Sequence, residues 1–173
     1  MVLSFRKLRH DEIDIRVAQI SEKGASLLLY KDARCDMNIL DETVGPMGWT
    51  RHHSRENANC TVSLWDEDKQ MWVSKEDTGT ESNTEAEKGL ASDSFKRACF
   101  NWGIGRELYT APFIFVSADK MNITERNGRK STYDKFVVEK IAYDGNSISG
   151  ISIINMTSGK RVFVWQKPKE NAA

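Results

Sequence analysis

The sequence has little cysteine, no long apolar run and no net charge. Its three cysteines (Cys35, Cys60, Cys99) are an odd number, far apart, with no Cys-x-x-Cys pair. That argues against a disulfide framework and for reduced thiols in a cytosolic protein, with Cys99 in the core. No stretch approaches the roughly 18 apolar residues that a membrane span needs. The start, MVLSFRKLRHDE, lacks the apolar core of a signal peptide. These absences predict a cytoplasmic protein with no membrane partner. No repeat or low-complexity segment interrupts the chain, and 173 residues suffice to bury a core without disulfides or metals.

Lys and Arg number 25, as do Asp and Glu, so a generic basic surface is excluded. The balance hides an asymmetry. Residues 61–95 hold 3 Lys and Arg against 9 Asp and Glu, whereas residues 96–173 hold 13 against 7. Either this is ordinary patchiness, or one basic face binds a polyanion.

Short strands are expected at IRVAQI and ASLLLY, joined by the turn SEKG and preceded by a short helix. DARCDMNILDETVG reads as a helix stopped by Gly45 and Pro46. NCTVSLWD and MWVSKED read as strands around the polar turn DEDKQ. A second helix opens at Ser82 or Thr84, each with a glutamate three residues on as a capping box, and runs to about Trp102. APFIFVSA is a short buried strand. Beyond it lies a β-meander whose turns are DGNS and TSGK. The order β-β-α-β-β-α, then more strands, predicts an α+β class with a largely antiparallel sheet and helices on one face. Residues 1–118 form a core domain and residues 119–173 a β-rich extension of it.

The second helix holds the informative segment, EKGLASDSFKRACFNWGIGREL. With Phe95 at zero and about 100° per residue, Ala91, Ala98, Cys99 and Trp102 fall within roughly 60° of it. Lys96 sits at the flank of that stripe. Arg97 lies on the far side near Asp93, an i,i+4 pair of opposite charge. Phe100 is on the far side too and needs a cover: a neighbouring element, another subunit or a ligand with flat rings. The bland alternative is a solvated helix face.

Glu76, Asp77 and Gly79 at a strand end, followed by Asp93, Lys96, Arg97, Ala98, Trp102 and Gly103 on a helix, resemble the Rad-fifty-two/Rad-twenty-two superfamily of single-strand annealing proteins. The likeness is to its short phage and prophage members, the Sak type. Upstream, Glu42, Gly45, Gly48 and Trp49 match the family's helix-Gly-x-x-Gly-Trp segment. The resemblance covers about residues 30–110. It implies a β-β-β-α core, an antiparallel β-sheet packed on a long helix, with the C-terminal β-meander appended. It also implies ATP-independent binding and annealing of single-stranded DNA for homologous recombination, in a basic groove of a homo-oligomeric ring or filament. Such a protein is not an enzyme and uses no cofactor or metal. An exonuclease or a single-strand-binding protein is a candidate partner. Lys96 and Arg97 match the family's cation pair at the base of the groove. Arg34 lies one place from a family arginine on the first long helix, and Lys88 lies where members carry a further cation. Phe100 stands where another cation is common.

Cations tracking phosphates give sequence-independent, salt-sensitive affinity, which annealing requires. Trp49 with Arg51, His52 and His53 forms an aromatic-cation edge, and Arg55 adds to the candidates. Arg126, Arg129, Lys130, Lys160 and Arg161 offer a second contact surface, although hairpin turns are rich in such residues. A rival class is a metal-dependent nuclease using Glu67, Asp68 and Lys69 with Asp36 or Asp41, but this tripeptide falls in an expected turn. A third class is a structural module that does not bind DNA. His52 and His53 have no third ligand at zinc spacing, and Gly103-Ile104-Gly105 ends a helix, whereas a phosphate loop begins one.

Overall fold

The computed structural model describes residues 3–80 and 86–168, and of residues 86–88 the backbone alone. Strands β1 (Asp14–Ser21) and β2 (Gly24–Tyr30) precede helix α1 (Ala33–Val44). Strands β3 (Trp49–Ser54), β4 (Asn59–Asp66) and β5 (Met71–Thr78) lead to helix α2 (Ala86–Trp102). Then come β6 (Ile114–Ser117), β7 (Thr124–Arg126), β8 (Arg129–Ser131), β9 (Phe136–Asp144), β10 (Ser147–Asn155) and β11 (Lys160–Gln166). The capping boxes expected at Ser82 and Thr84 lie outside the described residues.

This count corrects the expected α+β architecture of a sheet packed on a long helix. The described residues are mostly β, with eleven strands in four small antiparallel sheets and two α-helices. The sheets are β1-β2-β6, β3-β4-β5, β7-β8 and β9-β10-β11. Helical periodicity is confined to two segments, while eight of the strands are supplied outside the stretch that carries the resemblance, with β2 only touching its edge. Among the described residues, no helix is long and apolar enough to cross a membrane.

The chain forms two compact units. The first comprises residues 1–7 and 32–106, the second residues 8–31 and 107–173.

In the first unit, Asp32 caps α1 by accepting the Arg34 and Cys35 amides at 2.8 and 3.0 Å. Gly45 ends the helix at φ 76°, its N–H donating to the Asp41 carbonyl at 3.0 Å. Gly48 is required by contact: a Cβ there would stand 2.1 Å from the Val44 carbonyl oxygen. β4 alternates strictly, burying Cys60, Val62 and Leu64. α2 answers with fully buried Phe95, Ala98 and Cys99. The turn between β3 and β4 places Arg55, Glu56 and Asn57 in left-handed backbone, at φ 49°, 53° and 70°. Its Asn57 carbonyl accepts the buried Ser94 hydroxyl at 2.9 Å, tying the turn to α2.

The second unit is built on its two three-stranded sheets. Leu27, Ile114 and Val116 line the inner face of one, and Val138, Ile151, Ile153 and Val162 are buried in the other. Leu8 is fastened by polar bonds at both ends of its peptide. Its N–H donates to the buried Glu107 carboxylate at 2.8 Å and its carbonyl accepts the Tyr143 hydroxyl at 2.8 Å. The segment expected as a short buried strand, β6, alternates in burial. Ile114 and Val116 face in, while Phe115 stays 40% exposed.

Candidate nucleic-acid interface

The site is assembled around α2 from both of its neighbours in the sheet. Strand alternation puts Cys60, Val62 and Leu64 of β4 on the helix side, and the register sets them opposite Asp77, Lys75 and Val73 of β5. Two charged residues of β5 therefore face the helix. The Lys75 ammonium donates to the Asn101 carbonyl at 2.8 Å and lies 4.6 Å from the Trp102 ring centroid. Trp102 in turn donates its indole N–H to the Val62 carbonyl at 3.0 Å.

The helix ends at Gly103 (φ 105°), whose N–H donates to the Phe100 carbonyl at 2.9 Å, and Gly105 (φ 75°) turns the chain back. That return brings Arg106 onto the helix end. Its guanidinium donates to the Phe100 and Asn101 carbonyls, each at 2.8 Å, and covers the Phe100 ring at 5.4 Å. Lys75 and Arg106 thus place two cations on the negative end of the helix dipole. Neither was singled out in the sequence. Strand parity on β5 and the double glycine before Arg106 were the available signals. Phe100 has a cover from within its own unit, so it does not require a subunit or a ligand for one.

The motif residues take distinct roles. Glu76 lies on the sheet face away from α2, where it accepts Asn59 Nδ2 at 2.7 Å and the Thr61 hydroxyl at 2.8 Å. Asp77 faces the helix and receives Arg97 Nε at 3.4 Å and Asn101 Nδ2 at 3.2 Å. Gly79 permits close approach: a Cβ would stand 2.6 Å from the Ser94 amide nitrogen and 2.9 Å from the Leu90 carbonyl oxygen. Asp93 does not hold Arg97, contrary to the helical-wheel expectation. It accepts the Thr80 amide at 2.9 Å and the Thr80 hydroxyl at 3.2 Å. Asp77 on β5 takes Arg97 and Thr80 just beyond β5 takes Asp93, so partners across the fold displace the i,i+4 pair.

Lys96 is half-buried and, among the described residues, has no ion-pair partner. Arg97 is exposed and only loosely held by Asp77. Arg51 projects from β3 with its guanidinium 4.9 Å from the Phe95 ring centroid, next along the chain to Lys96. Trp49 is not a free aromatic edge. Its ring stacks on Phe95 at 5.9 Å and its indole N–H donates to Asp41 at 2.7 Å. His53 approaches Ser94 Oγ at 3.4 Å; burial, and then the neighbouring Arg51 charge, hold its pKa below the ordinary value. Burial pushes the Cys60 thiol up to about 11, so it is no thiolate at neutral pH. All three cysteines are free and buried.

Lys96 and Arg97 are neighbours on α2, and Arg51 reaches that helix from β3. Arg55 lies exposed in the strained turn, two residues from the Asn57 contact with the helix. Arg34 is 83% exposed at the start of α1, where it pairs with its own capping residue Asp32 at 2.8 Å. Lys88 lies on α2, and its side chain is outside the described residues. The nuclease tripeptide Glu67-Asp68-Lys69 falls in the β4–β5 turn. There Asp66 accepts the Asp68 and Lys69 amides, both at 3.1 Å, and the Lys69 ammonium at 3.0 Å. Among the described residues, no three His, Cys, Asp or Glu side chains gather where they could hold a metal. Compared with family models, with curated proteins and with solved structures, the chain matches none.

Proposed function

We propose that this chain binds single-stranded DNA along α2 and anneals complementary strands without nucleotide, metal or covalent chemistry. It acts in homologous recombination as a homo-oligomer in which copies of α2 line one track. An exonuclease or a single-strand-binding protein is a candidate partner, and the cytoplasm of a bacterial host of a phage is the expected setting.

One observation carries the reading. Of the described cations around α2, Lys75 and Arg106 are committed to backbone carbonyls and Arg51 to a ring, which leaves Lys96 with no ion-pair partner among the described residues beside a loosely held Arg97. A helix needs no such cation for its own stability in mid-span. A phosphate backbone supplies the missing counter-charge. The rings nearby are committed too: Phe95 is fully buried, Trp49 is stacked on it and Phe100 lies under Arg106. A strand held here is held by its phosphates, and its bases stay free to find a partner, which is what annealing needs. Duplex formation then releases about 1.4 kcal/mol per base-pair step without further help from the protein.

The test is anisotropy of a labelled single strand, with annealing followed on a complementary pair in chelator. K96A/R97A should lose at least about tenfold in single-strand affinity, with a salt slope shallower by about 1.4. Both side chains lie off the buried stripe, so the thermal transition should be retained. Unchanged affinity in the double variant, or no annealing by the unaltered chain, overturns the assignment.

A further inference from the structure

The ribbon β7–β8 is a two-stranded sheet of its own, paired with neither three-stranded sheet of its unit. From Thr124 to Ser131 it contains no apolar side chain, and it carries Arg126, Arg129 and Lys130 against Glu125. A two-stranded ribbon is marginal even with a hydrophobic face, so burial does not explain this one. It is nevertheless built with care at its base. The Asp134 carboxylate accepts the Asn122 amide at 2.7 Å and Asn122 Nδ2 at 3.0 Å. The same carboxylate takes Nδ2 of the fully buried Asn155 on β10 at 2.8 Å. Thr124 Oγ1 and Ser131 Oγ meet across the ribbon at 3.1 Å.

The tip is equally defined. Asn127 and Gly128, at φ 52° and 73°, form the left-handed two-residue turn that suits a twisted hairpin. Flanking it, Arg126 and Arg129 are direct cross-strand partners, and both are exposed. Like charges placed opposite each other destabilise a ribbon. Among the described residues neither arginine has an ion-pair partner: Glu125 is taken by Lys130 at 2.5 Å, and Glu22 acts on Lys130 as well. The arrangement opposes folding unless an anion shares it.

We propose that this hairpin is a contact for duplex DNA, entering a groove with Arg126 and Arg129 against the phosphates. A two-stranded ribbon fits the B-form major groove of about 12 Å. Two cations fixed side by side on a clamped ribbon suit phosphates whose spacing the duplex itself holds rigid. The ribbon has no ring on which unpaired bases stack, which disfavours a single strand. It shares no residue with the α2 site and does not depend on the reading given to that site.

The experiment compares the full chain with R126A/R129A, using a labelled blunt duplex and a single strand of the same sequence. Duplex affinity should fall about tenfold and its salt slope should become shallower by about 2, while single-strand affinity changes less than about twofold. R126K/R129K should keep most of the duplex affinity, and R126E/R129E should lose more than the alanine pair. K96A/R97A, run alongside, should leave the duplex arm intact, so that failure of one site is read separately from failure of the other. The proposal is overturned by unchanged duplex affinity in the alanine pair, by equal loss on both DNA forms, or by no duplex binding of the unaltered chain at low salt.

Discussion

The first unit, with both helices, holds 11 Lys and Arg against 14 Asp and Glu; the all-strand second unit holds 14 against 11. The unit that carries the proposed single-strand site is thus the acidic one. What matters there is which cations are left over once carboxylates and carbonyls have taken theirs. Asp77 faces the helix from β5, Asp93 turns from the helix to Thr80, and Glu76 lies on the opposite sheet face. In the second unit the surplus is positive, yet Arg161 and Lys130 are locked to Glu139 and Glu125. Net charge ranks the two units in the opposite order from local availability around α2, and local availability governs phosphate contact.

The largest test of the division is Phe95→Ala. Emptying this fully buried ring site should cost about 3–5 kcal/mol. Hydrogen exchange should show the loss in amides of β4, β5 and α2, with β9 and β10 protected nearly as before. Equal loss in both sets would mean that the units unfold as one.

Acid should separate the units next. In the first, the depressed pKa of His53 means that the unfolded chain takes up a proton first, so stability falls as pH drops below about 6.5. Arg51 and His52 add to the same penalty. In the second, Arg161, then Ser152, hold the Glu139 carboxylate down to about 2. Its contribution is complete above the ordinary glutamate value of 4.5 and is lost as pH falls towards 2. A pH series of exchange protection should therefore show the first unit weakening before the second, and Glu139→Gln should remove the lower step. The reverse order would contradict these environments.

The smallest expected effect is that of Arg34→Ala. This exposed pair with Asp32 is worth at most about 1 kcal/mol, because the α1 cap rests on backbone amides that the variant keeps. A measurable fall in single-strand affinity would nonetheless bring Arg34 into the α2 site.

Legibility in the sequence followed hydrophobic contrast. β1, β2, α1, β4 and β5 lie where the pattern placed them: β2, α1 and β4 alternate or cycle around buried residues, while β1 and β5, which bury none fully, are held by pairing with β2 and β4. β3 was absent from the element order. In Trp-Thr-Arg-His-His-Ser the helix-facing positions are Trp49, Arg51 and His53, and two of those three are cationic or titratable. The β7–β8 ribbon was also passed over although Asn127-Gly128 signals such a turn, since its strands have no apolar face to catch the eye. The glycines and carboxylates of the α2 segment were legible as a pattern, but not as contacts. That Gly79 admits the helix, or that Asp77 rather than Asp93 holds Arg97, depends on partners eleven to twenty residues away.

The Arg55-Glu56-Asn57 turn has a practical side. Three successive L-amino acids wound left-handedly cost on the order of 1–2 kcal/mol each, and glycine escapes that penalty. Glu56 sits in the middle, exposed and outside every contact described above. Exchanging it for glycine offers an engineer a hardier protein for imaging or calorimetry, with each phosphate-seeking side chain left where nature put it.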